Sequence, residues 1–293
     1  MKRVLVTGAT GRIGGLLVRR LLDDGVAVRV LVRDLGRVPP QLRQAEIVPG
    51  EFEDLALMKR ALTGIERAFF YTPPNLDPRL FPLAAECGVR HVVLLSSASV
   101  TKVPAQSRNP IAERHRRAEE SIQQNGLGWT FLRPDLLASN CLQWAASILE
   151  RDEVRVAYPE SLRNPVHEDD VANVAARALL TSGLDRQALT LTGPGMLTIK
   201  EQVQKIAEAV GRPIRCVRIS PEDAVAEYLA SHPTASFSVA RLLVEYQHKT
   251  VAQAPASTPD FTHATGLSAK TFAAWAWDNK REFMPEFGTI RGS

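Results

Sequence analysis

The chain has 293 residues, 45% of them hydrophobic and 23% charged, with a formal net charge of +4. That length suits one large domain or a core carrying a smaller lobe, and the composition is that of an ordinary globular protein. The positive excess is scattered rather than gathered into a stripe, and no run reaches the ~18 apolar residues of a membrane span, so neither nucleic acid nor a bilayer is an expected partner.

"RVLVT" (3–7) is a short apolar run of the kind that forms a buried parallel strand. "IGGLLVRRLL" (13–22) has helical spacing and stops at Gly25; "VAVRVLV" (26–32) and "AEIVPG" (45–50) are the next strands. "LALMKRAL" (55–62) is a helix with Asp54 as its candidate N-cap. "RAFFYT" (67–72), a helix near 78–87, "HVVLLSS" (91–97), the helix "IAERHRRAEESI" (111–122) and "WTFLRP" (129–134) continue the alternation. Strand–helix alternation of this kind predicts an α/β fold with a Rossmann-type, doubly wound parallel sheet.

The second half is less regular. "LQWAASILERDEV" (142–154) reads as a helix, and "PVHEDDVANVAARALLTS" (165–182) as a short strand followed by a helix capped by Asp169 or Asp170. "QALTLTGP" (187–194) is a strand, and Thr198 with Glu201 makes a capping box for a helix over 198–211. "PIRCVRI" (213–219) and "PEDAVAEYLA" (221–230) form a strand–helix pair, 251–266 reads as a loop, and the end is helical with Trp275, Trp277 and Phe283 as core. The expected organisation is a dinucleotide-binding domain over 1–154 and a smaller C-terminal α/β substrate lobe over 155–293, partly interleaved with the sheet.

The chemistry-bearing motif is "VTGATGRIGG" (6–15), between the first strand and the first helix. Gly8 permits the tight turn, Gly11 lets backbone approach a pyrophosphate, and Gly14 lets helix and strand pack closely. The helix N-terminus then offers free N–H groups to phosphate. Thr10, Arg12 and Ile13 fill the turn and count with the cofactor residues. Where an NAD site usually places an acid, after the second strand, this chain has Arg33 followed by Asp34. Arg33 and Arg12 together suit a 2′-phosphate, so NADP(H) is expected over NAD(H). Cys87, Cys141 and Cys216 are far apart, with neither a CxxC pair nor metal spacing; no metal is expected, and the sparse thiols and glycine-broken N-terminus suit the cytoplasm.

The motifs "TGATGRIGG" (7–15), "VRD" (32–34), "YTPP" (71–74), "LLSSAS" (94–99), the helix around His115, "WTFLRP" (129–134) and "PVHEDDVA" (165–172) resemble the short-chain dehydrogenase/reductase superfamily, in its atypical NmrA-like branch. That branch includes quinone reductases, triphenylmethane dye reductases, isoflavone-reductase-like enzymes and redox-sensing regulators. The resemblance implies Asp54 near the adenine, Thr72 and Pro73 along the middle of the cofactor, Ser96 and Ser97 on the nicotinamide side, and Pro134 beside the nicotinamide. Asn140 and Trp144 would belong to the substrate wall. Asp170 reads as a helix cap more readily than as a ligand.

Reduction of a simple ketone leaves an alkoxide, which such enzymes protonate with a tyrosine whose pKa is lowered by a lysine four residues later. Here the residues four after Tyr71, Tyr158, Tyr228 and Tyr246 are Asn75, Leu162, His232 and Thr250, so the pair does not occur. By the resemblance, the tyrosine slot falls on Ile111 and the lysine slot on His115. Ile111, His115, Ala118 and Ile122 share one helical face, with the arginines expected to face water. Two readings of His115 stand: a packed core histidine satisfied by a backbone carbonyl, or a group at the nicotinamide, with Glu119 one turn on to hold the ring and a reference pKa of roughly 6.5 for proton transfer. Acceptors that delocalise the incoming charge need less help, which favours an NADPH-dependent reductase of quinones, enones, imines or polyketide-type aryl ketones. The alternative is a non-catalytic NADP(H) sensor that binds a protein partner. Monomer and homodimer both suit the sequence.

Overall fold

A computed structural model describes residues 3–104 and 109–285. In chain order the strands are β1 (Arg3–Val6), β2 (Val28–Val32), β3 (Glu46–Pro49), β4 (Ile65–Tyr71), β5 (His91–Leu95), β6 (Gly128–Pro134), β7 (Glu153–Val156), β8 (Leu162–Arg163), β9 (Gln187–Leu191), β10 (Leu197–Thr198) and β11 (Arg215–Arg218). The helices are α1 (Arg12–Asp23), α2 (Leu55–Leu62), α3 (Leu80–Glu86), α4 (Ser99–Lys102), α5 (Pro110–Gln124), α6 (Ala145–Arg151), α7 (Glu168–Leu180), α8 (Ile199–Val210), α9 (Pro221–Ser231), α10 (Phe237–Ala252), α11 (Asp260–Thr265) and α12 (Phe272–Asp278).

The chain divides into two compact units. The first comprises 1–135, 168–191 and 258–268, and the second 136–167, 192–257 and 269–293. The division therefore falls at Asp135 rather than 154, and the first unit takes back two later segments. Its sheet runs β3-β2-β1-β4-β5-β6-β9, with every neighbouring pair parallel. All five residues of β2 are buried, as in a strand covered on both faces. The strand order reverses between β1 and β4, and the carboxyl ends of those two strands form the crevice where doubly wound sheets take their ligands. Thr7 ties that point together. Its Oγ1 donates to the Phe69 carbonyl and accepts from the Tyr71 N–H.

Expectations about the later chain are corrected within this unit. β9, read as part of the lobe, is the seventh strand of the main sheet, paired with β6 from Thr130–Gln187 to Pro134–Leu191. α7 also belongs here, and Glu168, Asp169 and Asp170 lie inside its first turn instead of capping it from outside. Carboxylates there complement the helix dipole, and Asp169 also pairs with Arg20 at 2.8 Å. The strand expected at its start is one isolated bridge between Leu137 and Val166, in the second unit. The expected loop 251–266 contains α11, whose Asp260 accepts from the Thr190 N–H of β9.

The second unit packs Val154, Ile199, Val203, Ile206, Phe272, Trp275 and Phe283 into one core, with β7 parallel to β11 and β8 antiparallel to β10. The capping box of α8 forms between Thr198 and Glu201. The expected helix over 142–154 is shorter: a 3-10 turn fills Ala138–Trp144, α6 ends at Asp152 with φ 52°, and β7 follows. Trp277 is not core but 60% exposed, with the Lys280 ammonium 3.4 Å above its ring. α10, sixteen residues long with Ser236 as its N-cap, has no counterpart in the predicted elements.

Candidate active site

The glycine turn follows β1 and caps α1. Gly8 adopts φ +66°, which favours glycine, and a Cβ at Gly14 would lie 2.1 Å from the Gly8 carbonyl oxygen. Gly11 is the N-cap of α1, with no side-chain cap and no acidic residue in the first turn. That helix end therefore meets an anion with its own N–H groups and without a competing carboxylate. Thr10 and Arg12 are exposed, while Ile13 is buried against the sheet. Arg33, just past β2, is exposed and near enough to draw down the Tyr71 phenol, whose pKa is nevertheless raised on balance by burial. Asp34 accepts from the Gly36 N–H and so caps the 3-10 turn Leu35–Arg37. The turn, the bare helix end and the basic strand end fit a dinucleotide.

Asp54 caps α2 as expected, accepting from the Leu57 N–H at 3.0 Å. Thr72 and Pro73 are buried after β4, and Thr72 donates to the Leu95 carbonyl. Tyr71 precedes them, and its ring closes over Gly8: a Cβ there would stand 3.0 Å from Cδ1. Sequence reasoning missed this contact, although "YTPP" beside a glycine turn carried the signal.

After β5, the Ser96 N–H donates to the Leu132 carbonyl and the Ala98 N–H to the Pro134 carbonyl. The loop is thereby seated on the end of β6. Ser96 is buried and its hydroxyl donates to Glu119 at 2.5 Å. The Ser96 hydroxyl is thus taken up by Glu119. Ser97 accepts from the Ser99 N–H. Glu119, also buried, accepts from Arg133 Nε at 2.9 Å and Nη2 at 2.5 Å. The expectation that Glu119 holds the His115 ring is overturned, since Arg133 offers a full charge and a two-pronged donor. Breaking such a buried pair typically costs about 3–5 kcal/mol, so Glu119 anchors α5 to β6.

α5 opens at Asn109, whose side chain accepts from the N–H groups of Ile111 and Ala112. Glu119 meets Arg133 near the end of β6, and α5 runs back toward the start of that strand. His115 therefore lies about 6 Å further out toward the carboxyl edge, at 1.5 Å of rise per residue. Its ring is buried at 8% exposure, and Ile111 is half-buried. Among the described residues no backbone carbonyl satisfies it: Nδ1 is buried without a partner, and Nε2 lies 3.5 Å from Arg114 Nη2. Burial first, and the Arg114 charge second, push its pKa down to about 4, so it is a neutral imidazole at physiological pH and not the near-neutral acid expected. The arginines do not all face water. Arg117 does, beside Glu113, but Arg116 donates to the carbonyls of Val100 and Val103, and Arg114 is half-buried.

In the second unit Asn140 is exposed on the 3-10 turn, whereas Trp144 packs on that unit's core. No cluster of three metal-ligating side chains occurs among the described residues, and no described helix is long and apolar enough to cross a membrane.

Residues 8–182 match the model of the NAD(P)H-binding family. A (4-alkanoyl-5-oxo-2,5-dihydrofuran-3-yl)methyl phosphate reductase from Streptomyces griseus is 33% identical over 97% of this chain and 100% of its own length. An NAD(P)H azoreductase from Xenophilus azovorans is 28% identical over 93% of this chain and 96% of its own. The structure of a Citrobacter triphenylmethane reductase complexed with NADP(H) superposes with a TM-score of 0.75 at 20% identity, covering 94% of this chain and 99% of that one. The chain belongs to the NAD(P)H-binding family and is an NAD(P)H-dependent oxidoreductase.

Proposed function

We propose that the protein is an NADPH-dependent reductase that passes hydride to a conjugated or aromatic acceptor, an enone, quinone or related aryl ketone, and that it works without an ionising tyrosine. The observation that carries this reading is the face of α5. Where other members of the superfamily keep an acid and its lysine, this helix presents Ile111 and a buried, neutral His115. Such a pair cannot deliver a proton to an alkoxide at neutral pH. It suits an acceptor whose product spreads its charge over a π system. The names of the relatives are consistent with this class: an unsaturated oxo-furan, an azo compound and a dye.

The dinucleotide, when bound, supplies the hydride from its reduced nicotinamide. The chain's own residues bind and orient it. The α1 N-terminus with Gly8, Gly11 and Gly14 receives the pyrophosphate, Arg12 and Arg33 select the 2′-phosphate, and Thr72, Pro73 and Pro134 line its path. Catalysis is then mostly positioning of donor and acceptor at contact distance. The test follows loss of reduced-nicotinamide absorbance with enones, quinones, azo dyes and isolated ketones. Turnover of the conjugated classes is expected, with isolated ketones slow. NADPH binding without turnover of any class would point to a cofactor sensor instead.

A further inference from the structure

Beside His115 stands a half-buried cation. Arg114 has no carboxylate partner among the described residues; its Nη2 faces His115 Nε2 at 3.5 Å and its Nε is buried without a partner. A guanidinium has only N–H donors, so the imidazole nitrogen that faces it must be the one with the lone pair. The single ring proton of neutral His115 therefore sits on Nδ1, the nitrogen that is buried and unpartnered. We propose that Arg114 fixes His115 as the Nδ1–H tautomer, and that this N–H is a preset hydrogen-bond donor for a carbonyl oxygen of the acceptor, which makes α,β-unsaturated carbonyl compounds the preferred substrates. This rests on the reductase reading above.

The chemistry needs no proton from the ring. As hydride from NADPH forms the new C–H bond at the β-carbon, the C=C π pair shifts toward the carbonyl and negative charge gathers on oxygen. The Nδ1–H bond to that oxygen strengthens as the charge grows, so the donor stabilises the transition state more than the ground state. NADPH is oxidised to NADP⁺, and the α-carbon of the enolate takes its proton from water. A neutral donor serves here because its proton stays on the ring, the pattern of an electrophilic imidazole. The surroundings keep it neutral. Arg114 opposes protonation from the same helix, Glu119 is committed to Arg133, and on the α4 side Lys102 is committed to Asp135. Burial and Arg114 act in the same direction, toward the uncharged ring. Arg114 is thus a positioning residue that acts through His115.

Two measurements on the full chain test this. Long-range proton–nitrogen NMR of the labelled protein should show His115 as the Nδ1–H tautomer, still neutral at about pH 5 given its pKa of about 4, with Arg114→Ala moving its titration upward and Arg114→Lys moving it less. An Nε2–H tautomer, or titration near the ordinary histidine value, would overturn the proposal. In kinetics, His115→Phe should lower kcat for an unsaturated lactone by about 100-fold, the usual loss for one such donor. His115→Gln, which keeps a neutral N–H, should recover part of it. An azo dye, with no carbonyl at the reacting bond, should lose far less, and NADPH affinity by calorimetry should stay unchanged. Equal losses for both acceptors, or weakened NADPH binding, would reduce His115 to packing or cofactor contact. A wild-type enzyme that binds NADPH but reduces neither acceptor would sink the reductase reading and the donor role with it, while the NMR result would still decide the tautomer.

Discussion

Two buried histidines stand on opposite edges of the same sheet, and they are built differently. His91, at the amino end of β5, has its ring proton engaged: Nε2 donates to Thr130 Oγ1 at 3.1 Å, while Nδ1 stands 3.4 Å from the Asp185 carboxylate, a contact that becomes an ion pair only when the ring is protonated. Thr130 in turn donates to the Leu184 carbonyl, so it accepts from the His91 ring. His115, beyond the carboxyl end, has a cation beside one nitrogen and nothing on the other. Burial lowers the pKa of both. Burial alone therefore does not set the two histidines apart; the unfilled hydrogen bond does, and a buried polar atom without a partner carries a desolvation cost.

The largest effect that sharpens this contrast is the pH dependence of stability. His115 titrates at about 4 in the folded chain and near 6.5 unfolded, so between those values the unfolded chain holds the extra proton. Stability then rises with pH across that window, and the contribution is full above ~6.5 and lost as pH falls toward 4. The difference corresponds to about 3 kcal/mol. Denaturant unfolding of wild type against His115→Gln should show the acid-side slope shrink by about that much in the variant. An unchanged slope would mean that the ring is not held neutral and that the two histidines differ less than their contacts imply.

The next effect, about tenfold, concerns the cofactor end of the same edge. Arg33→Ala should lower the ratio of NADPH to NADH affinity by roughly a factor of ten, one charge-assisted hydrogen bond, as read by calorimetry. Equal loss for both cofactors would show that Arg33 supports the turn under Tyr71 and does not read the phosphate.

Much of this edge was legible in the sequence. The glycine spacing, the Asp54 cap, the Thr198–Glu201 box and the burial of His115 all follow from local rules, because each depends on residues within one or two turns. What was not legible depends on side-chain reach or on distant pairing. Arg114 lies about 100° around the helix from His115, so periodicity assigned it to water, yet its long stem brings the guanidinium back to the ring. Glu119 was in the right stripe, but its choice of Arg133 and Ser96 over His115 required knowing that β6 ends beside it. β9 joined the main sheet rather than the lobe because a short apolar strand does not announce its neighbour, and α10 lacks the strong two-faced pattern that marks α1 and α8.

The smallest effect comes from the amino edge and tests whether the two edges are independent. His91→Phe keeps most of the ring volume, leaves Thr130 donating to Leu184, and leaves Asp185, with 40% of its side chain exposed, to water. The loss is then one net hydrogen bond, about 1 kcal/mol in unfolding free energy. NADPH affinity and the turnover of an unsaturated lactone should be unchanged, since the substitution lies at the end of the strands away from the glycine turn and the outer turn of α5. A drop in turnover at constant stability would mean that β5 transmits strain along its length to Ser96 and Glu119. The division between a closed amino edge and an open carboxyl edge would then be one of geometry but not of energy.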